Sequence, residues 1–265
     1  RVPSAASPVE TRPNELSAGQ LLSFYRTMLL SRRLDDKELQ LKNQSRSYFQ
    51  ISAAGHEAIQ TAVGMQMRPG RDWFFPYYRD RALCLALGYS SYEMLLGAVG
   101  AADDPSSGGR QMPAHWSRPD LNLVSPSSAV ATQCLHGIGA AEACQYYMQF
   151  PELGHCSNDD VVLVSLGDGG TSEGEFWESL NTACTRRLPV LYLVQDNGYA
   201  ISVPTEVQTP GASISRTFSD FPGLFVREID GVDVLDCFDG LGEAIAHCRS
   251  GKGPALVHAR VVRLK

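Results

Sequence analysis

Val161-Val162-Leu163-Val164-Ser165-Leu166-Gly167-Asp168-Gly169-Gly170-Thr171-Ser172, followed downstream by Gln195-Asp196-Asn197-Gly198-Tyr199, decides the fold of this 265-residue chain. The apolar run Val161–Leu166 leads straight into Gly167-Asp168-Gly169-Gly170, and helix-type sequence begins at once. That junction predicts a buried strand turning directly into a helix, with Ser172 and Glu175 spaced as a capping box. Glycines let backbone approach a ligand, and the free N–H groups and dipole of a helix N-terminus favour a phosphate. Asp168 supplies a hard oxygen at the strand's C-terminal edge. The chain returns along Pro189–Gln195 and delivers Asn197 to the same edge, residues 170 through 195 intervening between Gly169 and Asp196. One carboxylate, one amide oxygen, a backbone carbonyl and two phosphate oxygens would make a near-octahedral site suited to Mg²⁺ rather than zinc. Gly-Asp-Gly alone reads first as a plain strand-to-helix turn, and it is the helix, the return strand and Asp196-Asn197 together that reverse this and favour the ligand site. Neither GxxxxGK[ST] nor GxGxxG occurs as a competing phosphate motif.

Outward from this unit, strand and helix alternate: helix 172–187, strand 189–195, a loop to about Phe221, strand 224–229, helix 241–249, strand 255–262. The strands are apolar throughout rather than at every second residue, which implies a parallel sheet covered on both faces. The expected class is α/β, a doubly wound parallel sheet with flanking helices. Upstream, residues 1–15 read as a flexible lead-in and 16–265 as a single domain. A long helix is expected over 16–44 with Leu21, Leu22, Phe24, Tyr25, Met28, Leu29, Leu34 and Leu39 on its apolar side, and a second over 56–67, stopped by Arg68-Pro69-Gly70. Trp73–Tyr78 reads as a short buried strand, 80–88 and 91–99 as helices, and 102–120 as a long loop of the functional kind. Helix 132–150, rich in Gly and Ala, can approach its neighbour closely.

Lys and Arg number 23 against 29 Asp and Glu, a net charge of −6 that provides no footprint for nucleic acid or an anionic membrane. None of the seven cysteines forms a CxxC pair, so they are expected to be reduced core residues of a cytosolic-type compartment. No apolar run approaches a membrane span, and the lead-in lacks the apolar core of a signal peptide. A start at Arg1 rather than Met suggests a processed or trimmed chain.

The bipartite spacing resembles the thiamine diphosphate motif, with Asp196 in place of the first residue of its Asn pair and Asn197 matching the second, metal-binding one. More widely, residues 20 to 265 are similar to the α subunit of the E1 component of 2-oxoacid dehydrogenase complexes, above all the branched-chain (2-oxoisovalerate) type. The matching blocks are Ala53-Ala54-Gly55-His56-Glu57-Ala58, residues 68–80, Gly109-Arg110-Gln111-Met112-Pro113-Ala114-His115, residues 127–133, 167–174 and 196–202. Several blocks in the right order are far more specific than any one of them.

The resemblance implies a thiamine diphosphate-binding fold and, position by position, a set of roles. Asp168 and Asn197 would bind Mg²⁺ through side chains and Tyr199 through its carbonyl. Gly169 and Gly170 would meet the diphosphate, Tyr78 and Arg79 would stand at the cofactor, and Ser128 and Val130 would hold the aminopyrimidine. Phe49, Tyr78, Met112 and His115 would line the 2-oxoacid pocket, His115 as the catalytic group. Ser127, Thr132 and Gln133 resemble a structural K⁺ site, with Ala129 where Pro is usual. The implied reaction is oxidative decarboxylation with acyl transfer to a lipoylated E2. The Glu that activates the cofactor would come from an E1 β subunit or a fused β-like domain, in an α2β2 assembly or a dimer of fused chains. A cytoplasmic, bacterial-type setting is favoured over the mitochondrial matrix. The family continues beyond the position of Lys265 into a His- and Ser-containing loop, so the domain is expected to be truncated there.

Alternatives stand beside this reading: a pyruvate-type or acetoin-cleaving relative, and a non-catalytic assembly partner. Taken singly, His56 reads as a packing or supporting residue, His115 equally as a solvated loop histidine, Arg79 as a helix-start ion-pair partner and Tyr78 as a buried aromatic. Glu173 and Glu175 read as first-turn dipole and capping residues.

Overall fold

In a computed structural model of the chain, residues 16–154 and 156–265 are described. The lead-in expected over 1–15 lies outside them. Ser17 caps α1 (Ala18–Asn43), its hydroxyl accepting from the Gln20 N–H while Gln20 Oε1 accepts from the Ser17 N–H. The helix buries a face other than the expected one. Phe24 and Leu34 are buried, but so are Ser31, Asp35 and Glu38, whereas Leu21, Leu22, Tyr25 and Leu29 are exposed. Charge pairing overrides hydrophobicity here. Glu38 accepts a two-pronged bond from the fully buried Arg81, at 2.5 Å on each oxygen, and Asp35 accepts from Ser52 Oγ at 2.6 Å and Gln50 Nε2 at 2.9 Å.

Helix α2 (Glu57–Gln66) runs through the interior against α3 (Arg81–Ala86), and a Cβ at Gly64 would fall 2.5 Å from Ala86 Cβ, so this approach requires glycine. Strand β1 covers only Trp73–Phe75 because Pro76 cannot extend the ladder. The chain then turns, leaving Tyr77, Tyr78 and Arg79 at the sheet edge. After α4 (Ser91–Ala98), Asp104 ties down the long loop by accepting from the Ser106 and Ser107 N–H groups, each at 3.1 Å.

The remainder follows the expected alternation: α5 (Thr132–Met148), β2 (Val162–Gly167), α6 (Gly174–Arg186), β3 (Val190–Asp196), then β6 (Phe225–Asp230), α9 (Val234–Arg249) and β7 (Ala255–Arg260). The segment expected as loop between β3 and β6 carries a small hairpin, β4 (Tyr199–Ala200) and β5 (Val203–Pro204), and the short helices α7 (Thr205–Gln208) and α8 (Ile214–Phe218). Helix α9 starts earlier than expected because the Asp233 carboxylate accepts from the Leu235 and Asp236 N–H groups, an N-cap that outweighs the polar start.

Five parallel strands lie in the order β1-β2-β3-β7-β6. One layer packs α1, α2, α3 and α9 against Leu163, Leu191, Leu193 and Val257. The other packs α5, α6 and α8 against Val162, Val164, Val190, Tyr192 and Leu256. Gly137 in α5 stands where a Cβ would be 2.4 Å from Val164 Cγ2, the close approach expected of the small-residue helix. This is the doubly wound parallel sheet expected from the sequence.

The thiol reading needs one correction: Cys144 and Cys156 are disulfide-bonded, with Cα atoms 5.3 Å apart, because the turn after α5 brings residue 156 back onto it. Cys84, Cys134, Cys184, Cys237 and Cys248 are free, as expected. Among the described residues no helix is long and apolar enough to cross a membrane.

Candidate active site

The C-terminal ends of β2 and β3 open onto a cavity of about 320 Å³. This is the carboxyl edge of the parallel sheet, the side on which ligands bind in open α/β sheets. Tyr78, Arg79, Ser128, Val130, Asp168, Gly169, Gly170 and Asn197, all expected at a cofactor, line this one cavity, and Tyr199 joins them.

The glycine turn takes a form the sequence reading missed. Residues Asp168–Ser172 make a 3₁₀ turn, so Ser172 is inside it and Glu173 is the N-cap of α6, without a side-chain cap bond. The expected Ser172/Glu175 capping box is therefore absent, and Glu173 instead lines the cavity. A Cβ on Gly169 would come within 2.7 Å of Ala200 Cβ, and one on Gly170 within 3.0 Å of Leu166 Cδ1. Glycine at both positions keeps the floor of the cavity at backbone level.

Burial, and then the nearby charge of Asp196, push the Asp168 carboxyl up to about 6. Gln208 Nε2 reaches its Oδ2 at 3.4 Å, a partner the sequence did not signal. Asp196 itself explains its departure from the Asn pair. Burial would raise it, but bonds from His258 Nε2 at 2.9 Å, the Gly198 N–H at 2.8 Å and Thr205 Oγ1 at 3.2 Å hold it below the usual carboxylate range. Three donors converge on this acceptor-only group.

Arg79 is braced from behind, donating through Nη1 to the Ser52 carbonyl, while Ser52 Oγ donates to the buried Asp35. His115 is buried one layer behind the cavity wall. Its Nδ1–H donates to the Pro113 carbonyl at 3.1 Å, so Nε2 accepts the Ser128 hydroxyl at 2.8 Å. The site thus brings His115 in through Ser128. Phe49 and Met112 are not brought in, since neither lines the cavity and Met112 is exposed. Of the trio expected for K⁺, Ser127 and Gln133 line the cavity, where the Ser127 hydroxyl accepts from the Ala129 N–H. Arg263, just beyond β7, also lines the cavity; a lone Arg past a strand end carries no sequence signal of its own.

The donors suit a hard cation and an anionic cofactor. Asp168, the Asn197 amide and the Tyr199 carbonyl each have an oxygen to offer, and Arg79 and Arg263 offer positive charge. Gln133 Oε1 is buried without a hydrogen-bond partner although its residue lines the cavity, a polar vacancy that a bound group can satisfy. Among the described residues no three His, Cys, Asp or Glu side chains could hold a metal by themselves, so a cation here needs backbone and ligand oxygens as well.

A parallel sheet with an acid, an amide and a glycine cradle on adjacent strand ends defines a class: the α/β proteins of the thiamine diphosphate-binding fold. The solved transketolase of Campylobacter jejuni shares the fold, with a TM-score of 0.64 at 14% identity over 90% of this chain and 37% of that one. Residues 25–265 match the family described as dehydrogenase E1 component, and the chain belongs to that family. It is 34% identical to the 2-oxoisovalerate dehydrogenase subunit alpha of Bacillus subtilis over 94% of this chain and 72% of the relative. It is also 34% identical to the 3-methyl-2-oxobutanoate dehydrogenase subunit alpha of Mycobacterium tuberculosis, over 91% and 60%. The pyruvate dehydrogenase E1 alpha subunit of Bacillus subtilis is 30% identical over 94% and 62%. The chain thus spans between three fifths and three quarters of the length of these relatives.

Proposed function

We propose that this chain is the α part of a branched-chain 2-oxoacid dehydrogenase E1 and holds the Mg²⁺-diphosphate end of thiamine diphosphate. The observation that carries this is the convergence of Asp168 and Asn197, from neighbouring strand ends, with the Gly169-Gly170 floor and Arg79 on one cavity. Asp168 and Asn197 bind the cation through oxygen, and Tyr199 adds its carbonyl. Arg79, with its guanidinium steadied by Ser52, takes the diphosphate, and the backbone at Gly169-Gly170 approaches it closely. Ser128 and Val130 flank the aminopyrimidine end. Bound thiamine diphosphate supplies the electron sink for decarboxylation of the 2-oxoacid. His115, fixed as the Nδ1–H tautomer, holds the Ser128 hydroxyl in one orientation at the cavity wall and is the residue through which proton placement near the substrate is controlled. Higher identity to the two bacterial branched-chain relatives, 34%, than to the pyruvate one, 30%, supports 3-methyl-2-oxobutanoate as substrate.

The activating Glu comes from a β subunit or β-like domain, and the acyl group passes to a lipoylated E2. Calorimetric titration of thiamine diphosphate with Mg²⁺, using wild type and Asp168→Ala, tests the site, with binding expected only for wild type. Assay with the β partner then tests the substrate, with turnover of 3-methyl-2-oxobutanoate exceeding that of pyruvate. Decarboxylation by the chain alone would overturn the shared-site reading, and no binding by either protein, also with the β partner present, would leave an assembly role in its place.

A further inference from the structure

His56 is fully buried behind the cation-binding edge, with Nε2 3.4 Å from Asn197 Nδ2 and Nδ1 2.9 Å from Gln195 Oε1. Its surroundings set which ring nitrogen carries hydrogen, beginning from two backbone groups whose roles cannot change. The Ala82 N–H must donate, and does so to Gln60 Oε1 at 3.0 Å. The Arg79 carbonyl must accept, and does so from Gln60 Nε2 at 2.9 Å. Gln60 is thereby fixed, and its Nε2 also donates to Gln195 Oε1 at 2.9 Å. The other end of Gln195 agrees, since Nε2 donates to Asp80 Oδ1 at 2.7 Å and to Ser165 Oγ at 2.9 Å. With an oxygen facing it, His56 Nδ1 must be the donor, which leaves Nε2 as a bare acceptor. Tyr77 Oη, 3.4 Å from the same Nδ1, is a hydroxyl and adapts to either state. The only group of Asn197 that can meet a bare Nε2 is its NH₂. The amide oxygen therefore points away from His56, where it accepts the Tyr199 N–H at 3.3 Å and keeps a second lone pair.

We propose that His56 is a positioning residue for the cation site: the relay Gln60–Gln195–His56 locks the Asn197 side chain so that oxygen, not nitrogen, faces the metal. This rests on the cation-binding role assigned to Asn197 above. Without the acceptor at His56 Nε2 the Asn197 amide would lose the contact that holds its NH₂ away from the cation, and groups that orient metal ligands from behind are typically worth roughly 10- to 100-fold in metal affinity.

The test is Mn²⁺ binding, read by electron paramagnetic resonance in the presence of thiamine diphosphate, on the full chain assembled with its β partner. His56→Leu removes the acceptor, and Gln60→Leu releases the relay at its far end, with Gln195, His56 and Asn197 between it and the metal. Both are expected to weaken Mn²⁺ roughly tenfold or more. His56→Gln, whose Oε1 can accept from Asn197 while its Nε2 donates to Gln195, is expected to stay within about threefold of wild type. Equal affinity in His56→Leu and wild type would overturn the proposal, as would a folded His56→Gln that binds as weakly as His56→Leu. A ¹⁵N spectrum of ring-labelled histidine reports the tautomer independently of metal, and Nε2–H at His56 would overturn the relay. Wild type that binds no Mn²⁺ would instead sink the cofactor reading, while the ¹⁵N result would still decide the tautomer.

Discussion

Asp196 Oδ2 accepts from His258 Nε2 at 2.9 Å, and His258 Nδ1 in turn accepts the Ser215 N–H at 3.3 Å. The backbone donor forces the hydrogen onto Nε2, so position 196 must offer an acceptor there. It must offer a second one to Gly198 and Thr205 on the other oxygen. A carboxylate satisfies both sides and an amide cannot.

Asp196→Asn is accordingly expected to destabilise the chain, although Asn is the residue usual in the related motif. One of its faces would set NH₂ against a donor, at a cost of about 1–3 kcal/mol. Denaturant unfolding measures it, and an unchanged midpoint would refute the hydrogen-bond assignment.

Burial lowers the His56 imidazole to about 4 from its ordinary 6.5. The folded state therefore binds fewer protons than the unfolded one between these values. The penalty is absent above pH 6.5, grows as pH falls, and levels off below about 4. Asp80 and Asp168, each raised to about 6 by burial, act in the opposite direction. The histidine contribution is therefore read as a difference: wild type should lose roughly 3 kcal/mol relative to His56→Gln between pH 7 and pH 4. Parallel stability profiles would rule it out.

Gly169→Ala places a methyl 2.7 Å from Ala200 Cβ, on the hairpin that follows Asn197. Overpacking of this kind costs about 1–3 kcal/mol, and the displaced floor should weaken thiamine diphosphate binding by more than Gly170→Ala does. Thermal shift with and without the cofactor separates the two effects.

Among the described residues, Glu38→Leu leaves the fully buried Arg81 with only Asp35, 3.8 Å away, as an ion-pair partner. A loss of about 3–5 kcal/mol is expected, with most of it recovered by the double variant Glu38→Leu/Arg81→Met. If the double variant is as unstable as the single one, packing rather than charge explains the burial of this face of α1.

Much of the architecture was legible because its signals are local. A continuous apolar run ending in glycine marked β2, Pro69-Gly70 stopped α2, and the spacing of Gly167-Asp168-Gly169 to Asn197 placed two ligand oxygens on one edge. What failed was decided between distant segments. The buried side of α1 follows Arg81, 43 residues from Glu38, not its own leucines. The 3₁₀ turn at Asp168–Ser172 displaced the expected cap, and the fold of the chain after α5 joined Cys144 to Cys156.

The sequence by itself determined the parallel sheet, the edge on which the site lies and the Asp168, Gly169, Gly170 and Asn197 positions on it, since each depends on a periodicity or a spacing along the chain, while the resemblance to a family supplied Tyr78, Arg79, Ser128 and Val130. Only the tertiary structure decided that His115 bonds the Ser128 hydroxyl, that Phe49 and Met112 stand outside the cavity, and that His56 backs Asn197. The physical reason is directional. A hydrogen bond depends on which atom faces which across 141 residues of chain, and no one-dimensional pattern encodes that orientation.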